Sequence, residues 1–205
     1  RLEETYDIQG TSWLKLKYLF RDSPVIKAGR YTIYRDSKLD SLIDRFVIGD
    51  VEKFKFTIIE GTVAKNNLDK LNKILIDNAL LFEVPQKVID IFSTEGSVIP
   101  DTYFFSDQED LIKVLEDSKQ SLNEYVEVLW KNKPADNPLK NRSEAVVLAS
   151  IIEREALLNS EQTIIASVFL SRLNKGMRLQ ADPTSSYGYY KDYGRKIGRV
   201  VLDDK

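Results

Sequence analysis

Residues 141–158 read NRSEAVVLASIIEREALL, and this stretch decides how the last third of the chain folds. Asn141 followed by Glu144 is typical of a capping box, so we predict a helix from Arg142 to about Leu158. The stretch is apolar nearly all round, which is typical of a buried helix. The sequence therefore predicts a largely apolar helix that carries two carboxylates, Glu153 and Glu155, near its carboxyl end.

One of those carboxylates, Glu153, falls on the same predicted helix face as Val146, Ala149 and Leu157. Glu155 lies two positions further on and points to roughly the opposite side. Apolar neighbours disfavour the charged form of a carboxyl group, and a protonated carboxyl group can act as a general acid. The same spacing also fits a solvated segment where the helix leaves the core, so both interpretations stay open.

The composition narrows the possible chemistry. The chain has 205 residues, 30 Lys plus Arg, 32 Asp plus Glu, and a formal net charge of -2. This balance argues against a general nucleic-acid binder, which needs a basic surplus. There is no Cys and no His, which excludes a Cys/His zinc site, a Cys nucleophile, a Ser–His relay and any disulfide. Acid–base chemistry near neutral pH must therefore fall to Asp, Glu, Lys or Tyr.

The first half of the chain reads as short strands alternating with helices. We predict a β-rich run over residues 28–34, a helix over residues 39–48 that ends at Gly49, and a strand around residues 54–58 with one wet face. A second amphipathic helix is predicted over residues 68–75. A long helix is predicted from an Asp107 N-cap to near Trp130, followed by a loop over residues 131–140.

After the apolar helix of residues 142–158, Asn159 with Gln162 resembles another capping box, and the helix that begins there should stop at Gly176. Asp182-Pro183 predicts the start of a third helix. Gln180, Asp182 and Thr184 cluster at this turn, where their local role is turn and cap chemistry. The tyrosines of this region could stack on a sugar ring or serve as core and rim aromatics. Ser150 has no His partner and is interpreted as a helix-packing residue.

The residue order in these segments resembles the motifs of a known protein family. LASIIERE (148–155) is followed by ASVFLSRL (166–173), GMRLQ (176–180) and ADPT (181–184), with Tyr187-Gly188 close behind. Upstream lie EG (95–96), PDTY (100–103), IEG (59–61) and AGRY (28–31). This series is similar to the endolytic murein transglycosylase family, the MltG or YceG-like proteins. The similarity is strong from Glu95 onward and moderate over residues 27–75.

The resemblance implies an α+β fold: a small LysM-like amino-terminal α/β module in residues 1–93, followed by a mostly helical transglycosylase domain in residues 94–205. It also implies cleavage of the β-1,4 bond between N-acetylmuramic acid and N-acetylglucosamine in nascent peptidoglycan strands. The product would carry a 1,6-anhydro ring, and the enzyme would act as a terminase of glycan elongation. The first Glu of the family's E-K/R-E element corresponds to Glu153, which would be the catalytic acid and base.

The remaining site residues also follow from the resemblance. Gln180, Asp182 and Thr184 match the family's LQ-x-DPT element and would lie in or near the substrate cleft, with Tyr187 beside them. Glu95 and Tyr103 are weaker candidates for lining the same groove. Conventional glycosidases use two carboxylates, whereas this reaction needs one, used twice. No cofactor or metal is expected.

The family also suggests a location and partners. Its members are anchored in the cytoplasmic membrane by one helix and act on its outer side, in the cell envelope. We expect peptidoglycan glycan strands as substrate, peptidoglycan synthases as partners, and no nucleic acid. The chain opens at Arg1, contains no apolar run of roughly 18 residues, and lacks the family's later YNTY…GLPP block. We therefore expect a fragment without the anchor and without the C-terminal part.

Two other functions stay open. The chain could be a non-catalytic module that binds glycan and serves as a scaffold for the wall-synthesis machinery. It could also be a conventional hydrolase that pairs Glu153 with Asp182, which would leave reducing muramic acid ends.

Overall fold

The structure, a computed structural model, describes residues 25–35 and 37–193, with side chains up to residue 188. The described residues form two compact units. One is built from residues 25–56 and 103–114, and the other from residues 57–102 and 115–193. Helices dominate the chain, and two short strands pair into one sheet, which confirms the predicted α+β class.

The elements are, in chain order, α1 (Leu39–Ile48), β1 (Phe54–Thr57), α2 (Ala64–Asp77), α3 (Gln86–Phe92), β2 (Thr102–Phe105), α4 (Gln108–Lys131), α5 (Arg142–Glu155), a 3-10 turn (Asn159–Glu161), α6 (Gln162–Asn174) and α7 (Asp182–Tyr193). The sequence patterns predict neither α3 nor β2. The other elements lie where the sequence predicts them, apart from the differences described below.

In the first unit, α1 ends as predicted. Gly49 takes up a left-handed conformation (φ 80°), and its N–H donates to the carbonyl of Arg45 at 2.9 Å. The predicted β-rich run over residues 28–34 is wrong, because no strand forms there. Its main-chain hydrogen bonds are isolated, such as Glu52 N–H to the Arg30 carbonyl at 2.8 Å, and do not build a ladder.

The two strands pair in opposite directions. The hydroxyls of Thr57 and Thr102 lie 3.0 Å apart, and the Ile58 N–H donates to the Asp101 carbonyl at 2.9 Å. Along β1, Phe54 and Phe56 are buried and alternate with exposed or half-buried residues, which confirms the strand with one wet face.

In the second unit, α2 packs against α3. Both helices contribute apolar side chains to one side, as amphipathic helices do. The buried members are Leu71, Leu75, Val88, Ile91 and Phe92.

The long helix α4 begins as the sequence predicts. The Asp107 carboxylate accepts a hydrogen bond from the Asp110 N–H at 2.9 Å, so Asp107 is the N-cap. In the second unit, the buried hydroxyl of Ser118 accepts from the Ile99 N–H at 3.0 Å. Within the described residues, no helix is both long enough and apolar enough to cross a membrane.

The last three helices form a separate apolar cluster within the second unit. Leu148 of α5, Phe169 of α6 and Ala181 at the start of α7 are buried together. Partly buried side chains surround them: Leu139, Ile151, Ile152, Ile165, Leu170, Leu173 and Leu179. The LysM-like module and the functional boundary between residues 93 and 94 stay predictions, because compactness alone assigns no function to a segment.

Candidate active site

Helix α5 begins as predicted and ends early. The Asn141 side chain accepts from the Glu144 N–H at 2.9 Å, which confirms the cap. The Glu144 carboxylate accepts from the Lys140 N–H at 2.7 Å, one residue before the position that a capping box requires. At the other end, Ala156 is extended (φ -71°, ψ 128°), so the helix stops at Glu155 and not near Leu158.

Glu153 lies in the last turn of α5 and is half-buried. One carboxylate oxygen, Oε2, accepts a hydrogen bond from Nε2 of Gln162 at 2.9 Å. The expected apolar surround is wrong in two places. Ala149 is exposed, and Leu157 lies beyond the helix end with 93% of its surface exposed. Glu153 is therefore reachable from solvent on one side and tied to α6 on the other.

A compact turn brings Gln162 to Glu153. The Glu161 carboxylate accepts from the N–H groups of both Leu157 and Leu158, each at 3.2 Å. These two donors would otherwise continue the ladder of α5, so the Glu161 side chain explains why the helix ends there. The predicted Asn159 and Gln162 capping box is wrong, because Asn159 begins a 3-10 turn and the Gln162 amide faces Glu153.

The predicted burial of α5 is also only partly right. Within this helix, all of which the structure describes, Leu148 is the buried residue, and Val147 keeps 57% of its surface exposed. Leu148 packs against Phe169 and Ala181, so one side of the helix faces α6 and α7. The opposite side is open, because an apolar composition does not by itself supply packing partners.

The segment before α7 has a defined backbone. Gln180 adopts a left-handed conformation (φ 52°), which is uncommon for a residue with a side chain. The carbonyl of Leu179 accepts a hydrogen bond from the Arg172 guanidinium, and the Met177 N–H donates to the Arg172 carbonyl at 2.8 Å. Two helix-α6 groups therefore hold the loop that presents Gln180.

The predicted cleft residues of this segment face solvent. Gln180, Asp182 and Thr184 are all exposed, while Ala181 between them is buried. The Thr184 hydroxyl donates to the Ala181 carbonyl at 2.6 Å, a local bond from a side chain to the backbone three residues earlier, in the turn that leads into α7. The described contacts thus place these three side chains on one short stretch next to the α5–α6–α7 cluster.

Glu95 and Tyr187, two other predicted site residues, are in direct contact. The Tyr187 hydroxyl donates a hydrogen bond to the Glu95 carboxylate. Partial burial raises the pKa of Tyr187 above its usual range, and the negative charge and hydrogen bond of Glu95 raise it further. The same carboxylate accepts from the Ala64 N–H, at Oε2 and 2.8 Å. Glu95 therefore joins the first turn of α2 to α7.

Two glycines lie against α5. A Cβ on Gly96 would come within 2.8 Å of Cγ1 of Val146, and a Cβ on Gly61 would overlap Cδ of Arg154. Both glycines have positive φ, 65° and 66° respectively. Their missing side chains let the loops before α2 and before β2 approach the helix that carries Glu153.

The remaining predicted residue, Tyr103, lies on β2 in the other compact unit and is half-buried. A groove of about 480 Å³ lies in the second unit between α3 and α4. Its walls are mainly charged and polar, including Lys87, Glu116 and Lys119, and it contains none of the predicted site residues.

Two residues of the candidate site, Gln162 and Glu161, are not predicted as such by the sequence patterns. The sequence pattern offers Gln162 only as the partner of Asn159 in a predicted cap, and it gives no signal for Glu161. A cap interaction is local, whereas the bond from Gln162 to Glu153 needs the chain to turn back between two helices.

Comparison with known proteins agrees with the motifs. Residues 1–204 match the sequence model of the YceG-like family. This chain belongs to the YceG-like family. A relative from Bacillus subtilis (strain 168), an endolytic murein transglycosylase, is 32% identical over 206 aligned positions. The alignment covers 84% of this chain and 55% of the relative, so this YceG-like chain spans about half the length of that protein.

The fold is also that of a solved structure. The crystal structure of a YceG-like protein from Listeria monocytogenes superposes with a TM-score of 0.52 and 23% sequence identity. The match covers 98% of this chain and 73% of the Listeria chain. At 23% sequence identity, this similarity shows that the two chains share a fold.

Proposed function

We propose that this protein is an endolytic lytic transglycosylase of peptidoglycan, with Glu153 as the single catalytic acid and base. Membership of the YceG-like family and the name of the Bacillus relative support the reaction class. The observation that carries the assignment to Glu153 is its setting. The carboxyl group is half-buried, reachable from solvent, and held at one oxygen by the Gln162 amide.

The bond to be cleaved is the β-1,4 link between N-acetylmuramic acid and N-acetylglucosamine. Protonated Glu153 gives its proton to the glycosidic oxygen, and the bond from that oxygen to C1 breaks with its electron pair on the leaving oxygen. The positive charge that develops at C1 is stabilised by the carbonyl oxygen of the sugar's own N-acetyl group. Because Glu153 has given up its proton, its carboxylate is left ionised beside the reacting sugar.

The second half of the reaction uses the same carboxylate. Ionised Glu153 takes the proton of the C6 hydroxyl, and O6 forms the new bond to C1. The product is a 1,6-anhydro ring, no water is consumed, and Glu153 is protonated again. Attack by a hydroxyl of the same sugar has a proximity advantage over free water.

The exposed residues before and within α7 are the proposed glycan-contacting group. Gln180, Asp182 and Thr184 present polar side chains to solvent on one short stretch, and hydrogen bonds to sugar hydroxyls are what such side chains provide. The left-handed backbone at Gln180 supports a functional role, because uncommon backbone conformations cluster at functional sites. Tyr187 offers a ring for stacking, and Glu95 orients it. Tyr103 is proposed as a further groove residue.

The biological setting follows from the same family membership. We propose that the enzyme acts in the cell envelope, on the outer side of the cytoplasmic membrane, beside peptidoglycan synthases. There it would end the elongation of nascent strands. A membrane helix outside the described residues would hold it at that surface.

The test uses the full-length protein and uncrosslinked glycan strands, with mass analysis of the products. Wild type should generate 1,6-anhydro-muramic acid ends. Glu153→Gln keeps the size of the side chain but cannot donate the proton, so the rate should fall at least about a thousandfold, in the upper part of the range for general acid–base catalysis because the group acts in both steps. Glu155→Gln, on the exposed opposite side of α5, is the matched control and should retain activity.

Three results would contradict the proposal. Undiminished activity of Glu153→Gln removes that residue from the role. Reducing muramic acid ends in place of anhydro ends identify a conventional hydrolase. Persistent strand binding by wild type with no product identifies a non-catalytic binding module.

A further inference from the structure

We infer that Gln162 is a positioning residue that holds Oε2 of Glu153, so that Oε1 alone donates and reclaims the proton. The inference rests on the proposed function of Glu153. It concerns a residue that contacts the carboxyl group and not the sugar, and it assigns the two steps of the reaction to one oxygen atom.

The geometry identifies which oxygen is engaged. Nε2 of Gln162 lies 2.9 Å from Oε2 of Glu153, a normal hydrogen-bond length, and the contact is partly buried. An ionised carboxylate can only accept, so the amide nitrogen, and not the amide oxygen, faces it. When Glu153 is protonated, the oxygen that accepts from the amide is the carbonyl oxygen. The proton then resides on Oε1.

The neutrality of the amide matters because the proposed reaction needs both protonation states. A Lys or Arg partner would strongly favour the ionised carboxylate. Among the residues that the structure describes, none of the ion pairs involves Glu153. A neutral amide can donate to the same oxygen before and after proton transfer. The side chain therefore keeps its orientation while its charge changes.

The amide is itself well placed by the fold. Gln162 is the first residue of α6, and the Glu161 carboxylate fixes the preceding turn through two backbone N–H groups. Helix α6 packs against α5 through Phe169 and Leu148. The donor and the carboxylate are thus carried on two helices that share a core, which is how a rigid site is built.

A purely structural role for the same hydrogen bond makes a different prediction. A tie between α5 and α6 would change stability and leave the chemistry of the folded enzyme alone. A positioning role changes kcat and its pH dependence, while KM stays nearly constant because Gln162 does not contact the glycan.

The experiment measures kcat, KM and the pH profile of kcat for Gln162→Ala and Gln162→Glu in the full-length protein, beside Glu153→Gln. Gln162→Ala frees the carboxyl group, and kcat should fall by about tenfold to hundredfold with little change in KM. Gln162→Glu has nearly the same shape but sets a second carboxylate beside the first. Such a pair shares a proton and titrates as a unit, so the pH profile should move to higher pH.

The matched control is Gln120→Ala. Its amide donates to the Glu124 carboxylate at 2.8 Å, the same type of pair on the exposed side of α4, and its loss should leave kcat and the pH profile unchanged. Wild-type kcat and pH profile in both Gln162 variants, with Glu153→Gln inactive, would overturn the inference and leave the proposed function intact. Full activity in Glu153→Gln would overturn both. If Gln162→Ala is unfolded, kcat and the pH profile of the nearly isosteric Gln162→Glu test the inference.

Discussion

The Tyr187 hydroxyl of α7 donates a hydrogen bond to the Glu95 carboxylate, which also accepts the Ala64 N–H at the first turn of α2. Three segments that are far apart in the chain meet at one side chain. Glu95 and Tyr187 both belong to motifs that suggested the family, so their contact gives these motifs a shared structural role. The glutamate organises the second unit in addition to any contact with substrate.

The first prediction concerns this contact and pH. The raised pKa of Tyr187 means that the folded state favours the protonated hydroxyl. Its contribution to the free energy of unfolding is therefore fully present below the unfolded pKa of about 10 and is lost as the pH rises through the higher folded pKa. Because 42% of Tyr187 is exposed and solvent screens the contact, Tyr187→Phe should cost less than about 1 kcal/mol at pH 7, and the difference from wild type should shrink at alkaline pH.

Urea unfolding at pH 7 and at pH values above 10 measures this difference. Tyr125→Phe is the control, because Tyr125 is an exposed ring on α4 with 63% of its surface accessible. A Tyr187→Phe cost that stays constant across the alkaline range would contradict the assigned hydrogen bond.

A second prediction separates backbone strain from steric conflict at two glycines. Gly176 and Gly96 both have φ near +65°, so an alanine at either site should cost about 1 kcal/mol of unfolding free energy. Gly176 has open space around it, whereas a Cβ on Gly96 meets Cγ1 of Val146 at 2.8 Å. Gly96→Ala should therefore cost about 1–3 kcal/mol more than Gly176→Ala.

The steric part of this difference can be removed. In a Val146→Ala background, the additional cost of Gly96→Ala should largely vanish, and a double-mutant cycle measures the coupling. Equal costs for the two glycine variants in both backgrounds would show that the loop bearing Gly96 does not press on α5.

The third prediction tests the apolar cluster that holds α5, α6 and α7 together. Leu148 is 6% exposed between Phe169 and Ala181, and Leu148→Ala should destabilise the protein by about 2–5 kcal/mol. Val147→Ala, one position away on the exposed side, should change stability by less than about 0.5 kcal/mol. Thermal or urea unfolding distinguishes the two. Similar costs would mean that α5 buries a different face.

The fourth prediction concerns the turn between α5 and α6. Glu161→Ala removes the acceptor of the Leu157 and Leu158 N–H groups, which should cost about 1 kcal/mol, as the loss of a helix cap does. It should also lower kcat, because Gln162 loses its fixed position. Since both variants disturb the same contact, the effects of Glu161→Ala and Gln162→Ala on kcat should not add. Additive effects of the two substitutions on kcat in the double variant would show that the turn does not act on Glu153 through Gln162.

The sequence predicted several helix ends correctly, and each has a local cause. Asn141 caps α5 and Asp107 caps α4 through side-chain bonds to N–H groups three residues on. Gly49 ends α1 because a glycine accepts positive φ without strain. The absence of His and Cys likewise limited the chemistry before any fold was known. The motifs around Glu153 and Asp182 identified the family, since they are read directly from residue order.

Other features were decided by tertiary structure alone. The strand β2 forms because β1 supplies hydrogen-bond partners from a distant part of the chain, whereas residues 28–34 have similar β-favouring residues and no such ladder. Helix α5 stops at Glu155 because a carboxylate from the next turn takes its following N–H groups. Residue type and spacing act over three or four positions and determine caps, faces and available chemistry. The contacts of Glu153 with Gln162 and of Glu95 with Tyr187 depend on how packed helices bring remote atoms within hydrogen-bond distance, and only the folded chain sets that.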